Sequence, residues 1–311
     1  MLLDKDKVIL IVGPTAVGKT GFAIKLAKRV GGEIISADSR YLYRGMDIGT
    51  AKPTTEERET IPHHMINVAD PDETWSLSTY LNKTLYWIDE INERGKIPLV
   101  VGGTGQYIRA LTEGWRVPEM VPNDTLRKVL SKWGDQVGPL ELQSKLSILD
   151  PDAANFIDAT NIRRTIRALE VIFSTGLRFS ELRVKDGPAH EYWIIGLTMP
   201  RIELFARVDE RVDQMFRDGL VMEVRQLLDL GYDPTLPSMS AIGYKEVILY
   251  LKGEITLEEA RELIKKNTHQ YVRRQANWFK PTDPKIHWYQ MDPYPLEMVL
   301  SDLKIDKKEQ P

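Results

Sequence analysis

VILIVGPTAVGKT, residues Val8–Thr20, joins a short apolar run to a glycine-rich turn. Val8–Val12 is β-branched and apolar, with charge before it and Gly13-Pro14 after it. That is the profile of a buried strand. Gly13–Thr20 fits the pattern G-x-x-x-x-G-K-[ST]. A turn of this kind points backbone N–H groups at an anion, and the dipole of the helix that starts inside it adds to them. Lys19 supplies mobile positive charge, and the Thr20 hydroxyl suits Mg²⁺. Gly13, Pro14, Thr15, Ala16, Val17, Gly18, Lys19 and Thr20 are therefore expected to bind a di- or triphosphate.

Outward from this motif the chain alternates strand and helix. Phe22, Ile24, Leu26, Ala27 and Val30 give Gly18–Val30 a helical pattern, which Gly31-Gly32 stops. Glu33–Ala37 reads as a second strand, Ser78–Arg94 as a helix and Ile97–Val101 as a third strand ending in Gly102-Gly103. The alternation implies a parallel sheet with right-handed crossovers. From Pro118 to Gly187 no strand is expected, and Pro139, Asp150-Pro151 and Gly176 break helical stretches. A strand returns at Tyr192–Leu197, and helices follow from Arg201 to Phe279, punctuated at Gly219. The tail from Ser301 is polar and expected to fray. The expected fold is α/β, a P-loop NTPase-like parallel sheet flanked by helices. Residues 1–117 form the first part of the core, 118–187 an all-helical insertion domain, and 188–311 a mostly helical second part.

Composition removes other classes. The 311 residues contain no cysteine, which excludes disulfides, thiolate metal sites and cysteine nucleophiles. Runs such as Val8–Val12 and Leu99–Val101 fall far below the roughly 18 apolar residues of a membrane span. The start, MLLDKDK, lacks the apolar stretch of a signal peptide. A cytoplasmic protein without a membrane partner is expected. The net charge of −3 by itself argues mildly against a nucleic-acid partner.

Local charge argues the other way. Asn161–Lys185 carries +4, from Arg163, Arg164, Arg167, Arg178, Arg183 and Lys185 against Glu170 and Glu181. Lys265–Lys280 carries +5, with Tyr271, Trp278 and Phe279 interleaved. Basic residues between aromatics and amides suit phosphate contacts and base stacking. A solvated helix face, with Trp278-Phe279 in the core, is the plain alternative. If RNA binds, neutralising Lys265, Lys266, Arg273 and Arg274 should flatten the salt dependence.

The third strand ends without the acid that often holds Mg²⁺ in P-loop proteins. The available carboxylate is Asp38, at the end of the second strand. Strand ends of an open sheet face the ligand crevice, so Asp38, Ser39 and Thr104 should converge on whatever Lys19 holds. Asp38 then suits proton acceptance from a nucleophile, or else it caps a helix. Gly102–Gly105 either makes a turn or lets a substrate approach the backbone. His63-His64 suits a loop that contacts substrate better than a metal site. Arg207 and Arg211 share a helix face; either Asp209, Glu210 and Asp213 neutralise them, or one clamps the phosphates.

Several longer strings make the chain similar to a known family. They are GPTAVGKT (Gly13–Thr20), ADS (Ala37–Ser39), YRGMDIGTAKP (Tyr43–Pro53), PHH (Pro62–His64), GGTG-x-Y (Gly102–Tyr107), RALEV (Arg167–Val171), AIGYKE (Ala241–Glu246) and RRQANWF (Arg273–Phe279). In this order they resemble the tRNA dimethylallyltransferases, in their compact bacterial form without a Cys/His zinc module. The resemblance implies transfer of a dimethylallyl group from dimethylallyl diphosphate to N6 of the adenine 3′ of the anticodon. It implies Mg²⁺ at Thr20, Asp38 as base, Thr104 orienting the amine and Lys19 on the leaving group. It also implies tRNA contacts at Asp38, Ser39, Arg40, Tyr41, Thr104, Arg163, Arg164, Thr165, Ile166 and Arg167, with Arg127 a further candidate. Ser240, Gly243, Tyr244, Lys245, Arg273, Arg274, Gln275, Trp278 and Lys280 complete that set. Tyr41 stands where many members carry Gln, and His269 where Arg is frequent. A monomer is expected. A small-molecule kinase or a non-catalytic RNA-binding NTPase would use the same phosphate loop, but the kinase leaves the +5 segment idle.

Overall fold

A computed structural model of the protein describes residues 7–115, 117, 123–182 and 187–304. The chain divides into two compact units, residues 1–112 with 189–311, and residues 113–188. Residues 118–122 at the expected start of the insertion, Arg183 and Lys185 of the basic stretch, and the tail beyond Lys304 lie outside the described residues.

In the first unit the chain runs β1 (Lys7–Val12), α1 (Lys19–Val30), β2 (Gly32–Ser36), α2 (Thr55–Thr60), β3 (His63–His64), α3 (Leu77–Glu93), β4 (Ile97–Val101) and α4 (Gly105–Thr112). The second unit holds α5 (Asp124–Val137), α6 (Pro139–Leu149), α7 (Pro151–Phe156) and α8 (Ile162–Thr175). The first unit resumes with β5 (Glu191–Thr198), α9 (Arg201–Arg217), α10 (Leu220–Asp229), α11 (Tyr244–Leu251), α12 (Leu257–Gln275), β6 (Ile286–Gln290) and α13 (Leu296–Asp302).

The six strands form one parallel sheet in the order β3-β2-β4-β1-β5-β6. β1 is inner, and Val8–Val12 are completely buried, as a strand covered on both faces must be. α1 packs Phe22, Ala23, Ile24, Leu26 and Ala27 into a core shared with Ile9, Ile11, Leu99 and Ile195. Each such large side chain contributes about 1.5–3 kcal/mol on burial. The second unit has its own apolar centre, built on Leu130, Leu142, Leu146, Ala153 and Leu169.

Four strands and the main helices fall where the sequence predicts, with ends shifted by one residue or so. Two strands do not. His63-His64, read as a loop, is an edge strand paired with Ile34 and Ile35. β6 pairs with β5 from Ile194↔Ile286 to Thr198↔Gln290, where no strand was expected. Both depend on partners far along the chain, and β3 is too short to display a period.

Candidate active site

β1 ends at Gly13, and the chain turns through Ala16 (φ 67°) and Gly18 (φ 102°) into α1. No acid occupies the first turn of α1, so its unpaired N–H groups and dipole face the loop unopposed. Lys19 Nζ folds back and donates to the carbonyls of Gly13 (3.0 Å) and Pro14 (2.8 Å). Burial lowers its pKa to about 7; Asp38 opposes this and Arg211 adds to it.

Asp38 follows β2. It caps no helix; instead its Oδ1 accepts from the Arg40 N–H at 2.9 Å, closing a local turn. Its pKa is raised by burial, against the Arg40 N–H and the positive charge of Lys19. Thr104 lies alongside, its Oγ1 accepting from the Ser39 N–H at 3.3 Å. The glycines between β4 and Thr104 accommodate the protein itself. A Cβ on Gly102 would meet the Ala37 carbonyl oxygen at 2.2 Å, and one on Gly103 the Gln275 amide at 2.2 Å. Neighbouring chain occupies the space that the sequence left open to a substrate.

Lys19, Thr20, Asp38, Tyr41 and Arg211 line one cavity of about 260 Å³ with Thr50, Ala51, Pro53 and His63. A second hollow of about 830 Å³ shares Ala16, Ala51, Pro53 and Arg211 with it, and adds Arg207. Three acids of α9 pair elsewhere: Asp209 with His269, Glu210 with Arg217, and Asp213 with Lys265 and Arg261. Arg207 and Arg211 have no ion-pair partner among the described residues, so the self-neutralised face is not formed. The Tyr41 hydroxyl donates to the Ala51 carbonyl at 2.8 Å.

The two histidines separate. His64 bonds Glu33 at 2.8 Å and stacks on Trp87 at 4.0 Å, as part of the fold. His63 Nδ1 donates to the Ile61 carbonyl at 2.7 Å, while its Nε2 is buried without a partner. Burial lowers its pKa, and the residue lines the cavity. Among the described residues, no group of three or more His, Asp or Glu is arranged to hold a metal ion. A divalent ion here would rest on Thr20, ligand oxygens and water, a donor set that fits Mg²⁺.

The residues expected at RNA divide by exposure. Arg163, Arg164, Ser240, Lys245, Arg273, Arg274 and Lys280 are exposed. Three expected side-chain contacts need correction, because the groups are internal. Tyr244 is completely buried, with its hydroxyl on Glu223. Thr165 is completely buried, with its hydroxyl on Gln143. Gln275 is 3% exposed, its amide bridging the Thr15 N–H (2.8 Å) and the Gly103 carbonyl (3.1 Å). Gly243 is buried, and Ile166 packs against the core of the second unit. Arg127 and Arg167 both hold the buried Glu170, at 2.9 and 2.7 Å. Arg40 donates to the carbonyls of Pro237 and Ser238. Trp278 is half exposed, lying over Gly105 with the Arg109 guanidinium near its ring. Phe279 is core. Sequence reasoning missed Thr50, Ala51 and Pro53, which carry no chemical signature, and Glu223, whose role appears only through its distant partners.

A parallel sheet ending in this phosphate loop, with a half-buried carboxylate and an arginine free of ion pairs among the described residues in the same cavity, defines a P-loop enzyme of group transfer from a phosphorylated donor. The family model described as IPP transferase matches residues 41–282, and that described as Isopentenyl transferase matches residues 6–67. The chain is 48% identical to the tRNA dimethylallyltransferase of Thermomicrobium roseum, covering 92% of this chain and 87% of that protein. The full-length tRNA isopentenylpyrophosphate transferase from Bacillus halodurans is 40% identical, with a TM-score of 0.70 over 96% of this chain and 97% of that one. A eukaryotic dimethylallyltransferase acting on tRNA is 30% identical, with a TM-score of 0.81 over 96% of this chain and 78% of that one. This chain belongs to the tRNA dimethylallyltransferase family.

Proposed function

We propose that this protein transfers the dimethylallyl group of dimethylallyl diphosphate to N6 of the adenine 3′ of the anticodon in tRNA, releasing diphosphate. The observation that carries the reading is one cavity lined by Lys19, Thr20, Arg211 and a half-buried carboxylate, Asp38. Cleavage of the allylic C–O bond leaves negative charge on the diphosphate. Loop N–H groups, Lys19 and Arg211, with Arg207 at the outer hollow, are suited to hold it in place. Mg²⁺ bound through Thr20 would add countercharge at the leaving group. N6 of adenine attacks the allylic carbon and sheds a proton, which Asp38 accepts; its raised pKa makes it a stronger base than an ordinary aspartate. Thr104, at hydrogen-bond distance from the Ser39 N–H beside Asp38, orients the amine.

The adenine must leave its stack to reach such a crevice. The exposed arginines of α8 and the C-terminal half of α12, with Lys245 and Ser240, are assigned to the anticodon arm, and the helical unit to clasping it. Among the described residues no helix is long and apolar enough to cross a membrane. In this reading the enzyme acts as a monomer in the cytoplasm.

The test is to incubate the protein with Mg²⁺, dimethylallyl diphosphate and unmodified tRNA, then measure nucleosides by mass. Isopentenyladenosine is expected; its absence from every tRNA with adenine at that position overturns the reading. Asp38→Ala should lower turnover by about 10²-fold or more while tRNA binding persists.

A further inference from the structure

The loop of residues 46–53 walls the cavity together with Arg211; its own turns tie Ala51 to Ile48 and Lys52 and Thr50 to Asp47, and a distant side chain holds the segment Asp47–Gly49. Thr50, Ala51 and Pro53 face the inner cavity. Three successive backbone N–H groups, those of Asp47, Ile48 and Gly49, donate to one carboxylate, Glu223, at 2.9, 2.7 and 3.0 Å. The Tyr244 hydroxyl donates to the same carboxylate. Burial and the Glu223 charge both raise the Tyr244 pKa, so that hydroxyl keeps its proton. Glu223 is buried on α10, which continues the chain from α9, the helix that carries Arg211. The fit is close. A Cβ on Gly49 would stand 2.5 Å from the Tyr244 ring and 2.9 Å from Leu220. Elsewhere in the loop, the Lys52 ammonium is buried against the Tyr43 carbonyl, Asp47 and Asn67.

A carboxylate that accepts four donors away from water is a strong, directional anchor. Glu223 lines neither hollow, so its action reaches the site through the backbone it holds. We infer that Glu223 is a positioning residue for the allylic diphosphate: by tying Asp47–Gly49 to α10, it sets the separation between Arg211 and the Thr50–Pro53 wall before the donor arrives. A wall shaped in advance spares the donor the cost of ordering it. The inference rests on the donor reading of this cavity.

The variants Glu223→Gln and Tyr244→Phe test it in the full chain. Gln keeps the size of the side chain but turns an NH₂ toward backbone donors. Phe removes one donor of the four. Glu223→Gln is expected to raise the KM for dimethylallyl diphosphate about tenfold, with the KM for tRNA and kcat at saturating donor within about threefold of the parent. Tyr244→Phe is expected to raise the donor KM about two- to threefold. Calorimetric titration with inorganic diphosphate and Mg²⁺ should follow the same order. A donor KM within twofold of the parent for Glu223→Gln overturns the inference, as does an equal rise in both KM values. If Glu223→Gln does not fold, an unchanged donor KM in Tyr244→Phe overturns it. If the parent forms no isopentenyladenosine, the reaction reading fails, and the diphosphate titration alone decides the role of Glu223.

Discussion

Two loops wall the cavity, and they are built on opposite plans. Residues 13–20 are organised mainly by contiguous chain, the strand before, the helix after and the lysine that folds back, with Gln275 adding a distant hold on Thr15. Residues 46–53 close turns of their own but are anchored from elsewhere, and the carboxylate that holds Asp47 lies 176 residues further along the chain. In the proposed reading the first loop presents charge and N–H groups to the diphosphate. The second turns the N–H groups of Asp47, Ile48 and Gly49 to Glu223 and lines the cavity with Thr50, Ala51 and Pro53. Binding chemistry can therefore sit in a local motif, while the shape of the site depends on tertiary contacts.

If the division holds, damage to the first loop should reduce rate, and damage to the second should reduce fit. The largest expected effect is that of Lys19→Ala, a loss of about 10²–10³ in kcat/KM for tRNA prenylation, because leaving-group charge then lacks its nearest cation. Comparable loss from a conservative change in the second loop would break the comparison. Gly49→Ala should lower stability by about 1–3 kcal/mol through its clash with the Tyr244 ring, read as a lower melting temperature.

The pH dependence sharpens the contrast further. In the empty site burial places the Lys19 pKa at about 7, and a bound diphosphate favours the ammonium. Below that pH the cation is already present, and affinity should be flat in this respect. Above it one proton must be taken up on binding, and affinity should fall by up to about tenfold per pH unit. Calorimetry in buffers of different ionisation enthalpy, corrected for ionisation of the diphosphate itself, measures that uptake. Lys52 is buried too, but its acceptors are protein oxygens, so the second loop should add no proton uptake.

The smallest effect concerns α12, where the same division between local sequence and distant partner recurs. Lys265 bonds Asp213 at 3.0 Å on the neighbouring helix, whereas Lys266 and Arg274 have no ion-pair partner among the described residues. Neutralising Lys266 or Arg274 should reduce the salt slope of tRNA binding by about one each, and neutralising Lys265 by less. Equal slopes would show that Asp213 does not restrain the lysine.

What was legible in the sequence follows the same line. β1, α1 and Lys19 could be read because apolar runs, glycine and a lysine lie side by side. Asp38 could be placed because strand ends share an edge. β3 and β6 could not, since a two-residue pairing has no period and an edge strand is defined by its neighbour. Tyr244, Thr165 and Gln275 stand within strings that pointed to RNA, yet each is committed inside the protein. A family string records that residues belong together, and burial decides which of them meet the ligand. Arg207 and Arg211 show the converse: three acids nearby in sequence left open whether they were neutralised, and α12 and Arg217 engage those acids instead.

Gln275 has one oxygen and one NH₂, and both are in use. The oxygen holds the Thr15 N–H of the phosphate loop, and the NH₂ holds the turn that leads to Thr104. It is also the last residue of α12, directly after Arg273 and Arg274. RNA that displaces the end of this helix displaces a hydrogen bond on the phosphate loop with it. Were RNA binding to bring such a displacement, donor bound on the loop would change the affinity for RNA by the same factor. A single uncharged side chain thus joins the phosphate loop to the end of α12, so that a strain on either is felt at the other.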